Sequence, residues 1–179
     1  ARVVGFFTAV IDQPGAAAAA VNLEGYSALF FQGAGSANAM PISLVNRAGG
    51  SGYGLFFQGS STAAQSTISL TGAGATVFDD AGAQLTGSAT LGSATLTTAN
   101  SAQLTFLDTS TAASANITNN NRGMTAFAGA SSGGSATVTN NAGGLTTFWQ
   151  QATGGGATII NNAGGALDIA LKSIPGRLD

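Results

Sequence analysis

The chain contains no cysteine and no histidine, and only five basic and seven acidic residues among 179. Without cysteine there is no disulfide framework, and without either residue type every cysteine- or histidine-liganded metal site is excluded. Five scattered cations cannot form the basic stripe that phosphate binding needs, which removes nucleic acid as a partner. No apolar run approaches the ~20 residues of a membrane-spanning helix, so no transmembrane segment is expected. No charged segment followed by an apolar one marks a secretory signal; the stretch from Gly15 to Val21 is an alanine tract. If the protein is exported, its signal lies outside this sequence. The scarcity of charge also bears on location, because an isolated soluble domain usually carries about a quarter charged residues. A surface this neutral suits something assembled, anchored or dilute outside the cell.

What fills the chain is Ala, Gly, Thr, Ser and Asn, with 44% hydrophobic residues against 7% charged. That balance argues against disorder, which couples high charge to few apolar residues. The order within it is a repeat. Segments from Ala115 (ANITNNNRGMTAF), Ala136 (ATVTNNAGGLTTF) and Ala157 (ATIINNAGGALDI) align without a gap at a step of 21 residues. The alignment superposes Ile117, Val138 and Ile159, and likewise Phe106, Phe127, Phe148 and Ile169. Nearer the N-terminus, GYSALFFQG from Gly25 and GYGLFFQG from Gly52 set Phe30 and Phe31 against Phe56 and Phe57 with a step of 26. From Phe57 to Phe78 the step is expected to return to 21, and Thr86 to Thr98 (TGSATLGSATLTT) reads as a short duplication.

Within each repeat, short β-prone runs are separated by NNAGG and by a Gly/Ser/Thr/Ala loop, giving strand, turn, strand, loop. A helical repeat is excluded because each Gly or Asn would cost up to about 1 kcal/mol relative to Ala. Strands of about four residues cannot bury a face alone, so each turn must lie on the next at roughly 4.8 Å. The expected fold is all-β: a right-handed parallel β-helix, or β-solenoid, of about seven or eight turns and roughly 35 Å long. Turns of about 21 residues make the C-terminal half and turns of about 26 the part near the N-terminus. Residues 1–179 form one domain, divided into an N-terminal segment (1–24) that caps the stack or pairs with another chain, less regular turns (25–103), regular repeats (104–170) and a tail (171–179).

Asn119, Asn140 and Asn161 fall in register, with Asn46 at an equivalent earlier position. Asn adopts the left-handed conformation at turns, and stacked amides can bond along an axis as in cross-β ladders. A structural asparagine ladder at the turns is therefore expected.

The repeats ATVTNNAGGLTTF and ATIINNAGGALDI resemble those in passenger regions of bacterial type V autotransporters, where units of the form ATITNN-GG-TTF alternate with loops such as DTSTA. Asp108 to Ala112 spell DTSTA, and GGALDI from Gly164 resembles the family's last clear repeat. The resemblance is specific from about Leu104 to Ile169, loose from Gly25 to Phe78, and absent before Gly25. It implies a right-handed parallel β-helix, secretion through the outer membrane, and display at the bacterial surface or release; it does not imply a catalytic site, since such repeats commonly form the stalk. The family's translocating β-barrel would follow the repeats, and none follows Asp179 in this sequence.

Enzymatic β-helices use convergent carboxylates. Here only Asp79 and Asp80 are adjacent, consecutive strand residues point to opposite faces, and DDAG is a good turn sequence. No catalytic residue, metal site or cofactor is expected, and an enzyme that cleaves polysaccharide is the least favoured reading. The doublets Phe6-Phe7, Phe30-Phe31 and Phe56-Phe57, with Phe148-Trp149, are more informative. One ring of each pair must face outward or lie at a corner. An exposed apolar stripe marks an interface, so Tyr26, Phe30, Phe31, Tyr53, Phe56, Phe57 and Trp149 form the candidate surface for self-association or for a ligand. The leading expectation is a structural surface or secreted solenoid, a stalk or a self-assembling fibre subunit joined end to end or laterally. The alternative is an adhesin holding glycan or a host surface through those aromatics. Both ends lack a polar cap and are expected to continue into further sequence or to pair with neighbouring chains.

Overall fold

The computed structural model describes residues 2–4, 7–11, 20–24, 27–45, 54–72 and 82–169. Sixteen strands follow one another: β1 (Arg2–Val4), β2 (Phe7–Ile11), β3 (Val21–Glu24), β4 (Ser27–Phe31), β5 (Pro41–Val45), β6 (Gly54–Phe57), β7 (Thr67–Thr71), β8 (Gly82–Leu85), β9 (Thr95–Ala99), β10 (Gln103–Phe106), β11 (Asn116–Asn119), β12 (Met124–Phe127), β13 (Thr137–Asn140), β14 (Leu145–Phe148), β15 (Thr158–Asn161) and β16 (Ala166–Ile169). Odd-numbered strands form one sheet and even-numbered strands a second, each in sequence order. Every neighbouring pair given is parallel, with one residue opposite one and no bulge. The described residues contain no helix. The arrangement is consistent with a parallel β-solenoid in which successive strands switch sheets.

The sequence makes these strands by alternation. In Thr137–Asn140 (TVTN), Val138 and Asn140 turn inward and are buried, while Thr137 and Thr139 are half-buried on the outer side. Stacking then converts each inward position into a column. Ile42, Ile68, Leu96, Ile117 and Val138 lie on one another in the first sheet. Phe31, Phe57, Leu85, Phe106, Phe127 and Phe148 do so in the second, with Phe106, Phe127 and Phe148 ring on ring at centroid distances of 4.5 and 4.8 Å. The two expected columns are thus both present.

The stretch expected to be a loop is instead a third face. Nine residues separate each second-sheet strand from the next first-sheet strand from Phe31 onward, as in Gln32–Met40 and Ala128–Ala136. At the middle of each arc one residue bridges to the next level: Ser36 to Thr62, then Thr90, Thr111, Ser132 and Thr153. Left-handed residues flank the bridge on both sides, for example Gly87 and Gly92, or Asp108 and Ala113. The apparent duplication GSATLGSAT is such an arc, its two halves being the two corners. Small buried residues, Ala37, Ala63, Ala89, Ala112 and Ala136 among them, fill the core where this narrow face closes on the sheets, which accounts for much of the alanine.

One expectation about spacing is overturned. Phe57 pairs with Leu85, not Phe78, so that step is 28 residues; Phe78 lies outside the described residues. From Phe31 onward, all variation in turn length falls at the corner from first to second sheet. Residues 120–123, 141–144 and 162–165 make three corners of four residues, whereas 46–53 and 72–81 lie between strands at two others. Beyond each long corner the register is restored, so the stacking in 25–103 is as regular as in 104–169 wherever it is described.

Candidate functional site

Asn119, Asn140 and Asn161 do form a ladder, but at inward strand positions and not at turns, buried at Asn119 and Asn140 and exposed at Asn161. Each is the last residue of its strand with its side chain on the inward parity, and Asn119 and Asn140 are fully buried. Neither has the left-handed backbone expected of a turn asparagine; that conformation belongs to Asn121 and Arg122 at the corner. The Asn119 amide nitrogen donates to Asn140 Oδ1 (2.8 Å) and to the Leu145 carbonyl (3.1 Å). Its Oδ1 accepts from the Thr98 hydroxyl (2.7 Å) and the Thr125 hydroxyl (2.9 Å). Asn140 repeats the pattern one level on, donating to Asn161 Oδ1 and the Ala166 carbonyl, each at 2.8 Å, and accepting from Thr146 at 2.9 Å. A carbonyl can only accept, so these contacts fix the orientation of both amides. Beside it runs a second ladder, in which Asn162 donates to Asn141 and Asn141 to Asn120, both at 2.7 Å. The two ladders donate in opposite directions along the stack. Asn46 is outside the described residues, and the residue standing in the Asn119 column at that level is Leu44.

Among the aromatics, the register shows which ring of each doublet turns out. Phe31 and Phe57 are fully buried and stack at 4.8 Å in the core, so they do not belong to the candidate surface. Phe30 and Phe56 stack on the outer side at 4.6 Å, 12° from parallel, and are half-buried. Below them Val10 holds the column and above them Gln84. Each ring covers a face of the other, leaving edges outward, so a sugar that packs flat on an aromatic face finds little there. Beside them Gln32 donates to Gln58 Oε1 at 2.9 Å. Trp149, just past β14, is 42% exposed. Tyr26 and Tyr53 lie outside the described residues, as do Asp79 and Asp80. Of the remaining acids, the Asp108 carboxylate accepts the Gly87 amide at 2.9 Å, the place taken over Gly129 by the Gln150 side chain, and Asp168 is exposed on β16. Among the described residues, no group of three potential metal ligands occurs and no helix is long and apolar enough to cross a membrane.

The surface that inspection of the sequence missed is the outer face of the first sheet. One column runs Pro41, Thr67, Thr95, Asn116, Thr137 and Thr158; the column two residues along each strand runs Ser43, Ser69, Thr97, Thr118, Thr139 and Ile160. Between these ends no residue of either column is charged; below Ser43 the second column continues through Asn22 to Arg2. The signal was the T-x-T alternation in TLT and TVT, whose outer members carry hydroxyls while the inner member fills the core. No protein-family model, curated protein or solved structure matches the chain.

Proposed function

We propose that this chain is a structural β-solenoid, wound right-handed through seven or eight turns, serving as an autotransporter-like stalk or a self-assembling fibre subunit at the bacterial surface or in secreted form, without enzymatic activity. The supporting observation is the unbroken one-to-one stacking of both sheets. Each level adds the same cross-section to the last, which extends a rod without creating a pocket. Right-handed winding is favoured because connections between parallel strands of one sheet take that hand in ~98% of cases. A neutral surface and the repeat resemblance support the surface location.

Antibody labelling of intact cells tests the location: signal that appears only after permeabilisation overturns it. Sedimentation and electron microscopy of the purified chain at rising concentration separate fibre from stalk. Growing particles support the fibre subunit, whereas a monodisperse monomer at high concentration leaves the stalk.

A further inference from the structure

On the outer face of the first sheet the small hydroxyls stand uncommitted at the surface. On the third face many are bonded: Ser60 bonds the Gly33 carbonyl, Thr109 the Gly87 carbonyl, and Thr90 and Thr111 cap the amides two residues on, while the unbonded hydroxyls of Ser61, Ser131 and Thr147 are buried and offer nothing to a surface ligand. On the first sheet, Thr67, Ser69, Thr95, Thr97, Thr118 and Thr139 form no side-chain hydrogen bond among the described residues. Their spacing is set by the sheet at roughly 4.8 Å between levels and about 6.7 Å along each strand. Threonine is β-branched and stiff at χ1, and beneath it Ile68, Leu96, Ile117 and Val138 are fully packed. The hydroxyls and methyls are therefore held in a two-dimensional array before any ligand arrives.

What such an array could hold follows by elimination. Ions gain little, because from Pro41 and Ser43 upward neither column carries a charge, and Arg2 stands two levels below Ser43 at the far end of its column. A dissolved small molecule asks for a concave site, and the columns lie on the outer side of a sheet. A protein partner asks for aromatic or Arg anchors, and a sugar for aromatic faces; from Pro41 and Ser43 upward the columns contain neither. The remaining occupant is an extended solid that is itself periodic, uncharged and hydrogen-bonding, with surface molecules that can order around methyls while meeting hydroxyls. Contacts too weak singly then act together in register.

We propose that this face binds crystalline water, the Thr/Ser columns engaging an ice surface. The role is independent of the stalk or fibre reading.

The test is partition of the purified chain into slowly grown ice, together with microscopy of crystal growth in its presence. The wild-type chain is expected to concentrate in the ice and to slow or facet the crystals. Thr118→Lys with Thr139→Lys, at the centre of the array, should reduce the ice-bound fraction by roughly tenfold or more. Ala130→Lys, on an exposed corner of another face, should leave it unchanged. Circular dichroism and thermal melts establish that each variant is folded, and Thr118→Gln with Thr139→Gln replaces the lysine pair if that pair does not fold. The proposal is overturned if the wild-type chain stays in the liquid, if Ala130→Lys loses binding equally, or if the chain is retained by crystalline cellulose or chitin and not by ice.

Discussion

The lower levels, from β3 to β8, and the upper levels, from β11 to β14, share one backbone register yet fill the same corner of the core with opposite chemistry. Below, the inward positions beside the first-to-second-sheet corner are apolar: Leu23, Leu44 and Leu70 on one sheet, Leu29 and Leu55 on the other. Above, the same positions become Asn119 and Asn140 facing Thr125 and Thr146. Thr98, above Leu70 and below Asn119, is the hinge between the two, its hydroxyl giving the first amide a donor. The long corners occur only where the column is leucine. Each buried amide, by contrast, donates across the corner to a carbonyl at the start of a second-sheet strand, a reach that requires the four-residue path. The amide therefore goes with the short corner, but the short corner does not need the amide: Leu23 and Leu29, and Thr98 and Leu104, are as close in sequence as Asn119 and Thr125, and leucine at Leu23, Leu44 and Leu70 leaves corner length free.

The largest test of this contrast is to charge the ladder. Asn119→Asp keeps the shape but places a carboxylate where the amide donated to Asn140 Oδ1 and Leu145 O. An unpaired buried charge costs about 3–5 kcal/mol, and the expected result is a chain that unfolds at much lower denaturant or not cooperatively at all. A loss below about 1 kcal/mol would show that water reaches the site.

Nearly as large an effect is expected at Gly144. A Cβ there would stand 2.2 Å from the Asn119 carbonyl oxygen and 2.8 Å from its carbon, backbone atoms that cannot step aside without breaking the ladder. Gly144→Ala should lower stability by about 3 kcal/mol. Gly123 and Gly165 face the equivalent carbonyls of Thr98 and Asn140, so equal losses at all three identify the corner, not the local sequence, as the cause.

Importing the lower chemistry sharpens the comparison further. Asn140→Leu alone takes the acceptor from the Thr146 hydroxyl proton and the amide donor from the Ala166 carbonyl, and leaves the Asn119 amide only a longer 3.3 Å bond to Thr146 Oγ1 beside its bond to Leu145, each unsatisfied group costing about 1–3 kcal/mol. Replacing Asn119 and Asn140 by Leu together with Thr98, Thr125 and Thr146 by Val removes the buried hydroxyls along with the amides they bond, which can be near neutral. Equilibrium unfolding should therefore show the fivefold variant more stable than the single one. The opposite order would mean that the amides stabilise the stack outright, beyond fixing its register.

How far this contrast was legible in the sequence depended on the spacing. Where the step is a constant 21, gapless alignment places Ile117 under Val138 and Phe106 under Phe127 correctly, because identical path lengths force identical register. The same assumption failed from Phe57 to Leu85, where extra residues sit at one corner and the register resumes only after them. The asparagines were identified as a ladder but assigned to the turn, since an NN pair has strong turn propensity. Strand parity, with Ile117 in and Thr118 out, already sends Asn119 inward, and tertiary burial outweighed the local preference. The third face left almost no local trace, for one bridging residue per level has no alternation to detect. The hydroxyl array was hidden for a different reason: Thr and Ser are ordinary on an outer strand position, and only register shows that they coincide.

The smallest expected effect concerns the part that does not differ between the two regions. The nine-residue arc has the same length above and below, and in both regions a non-glycine residue occupies a left-handed corner: Ala64 at φ 53° in the lower levels and Ala113 at φ 51° in the upper. An L-residue pays about 1 kcal/mol for that conformation, part of which glycine returns as unfolded-state entropy. Ala64→Gly and Ala113→Gly should each raise the denaturation midpoint by a gain of about 0.5 kcal/mol, with an unchanged slope. Equality is the informative outcome. If the arc is a common frame and the first-to-second-sheet corner the only variable element, the two gains must match. A gain at Ala113 without one at Ala64 would mean that the long corners loosen the whole level on which they sit.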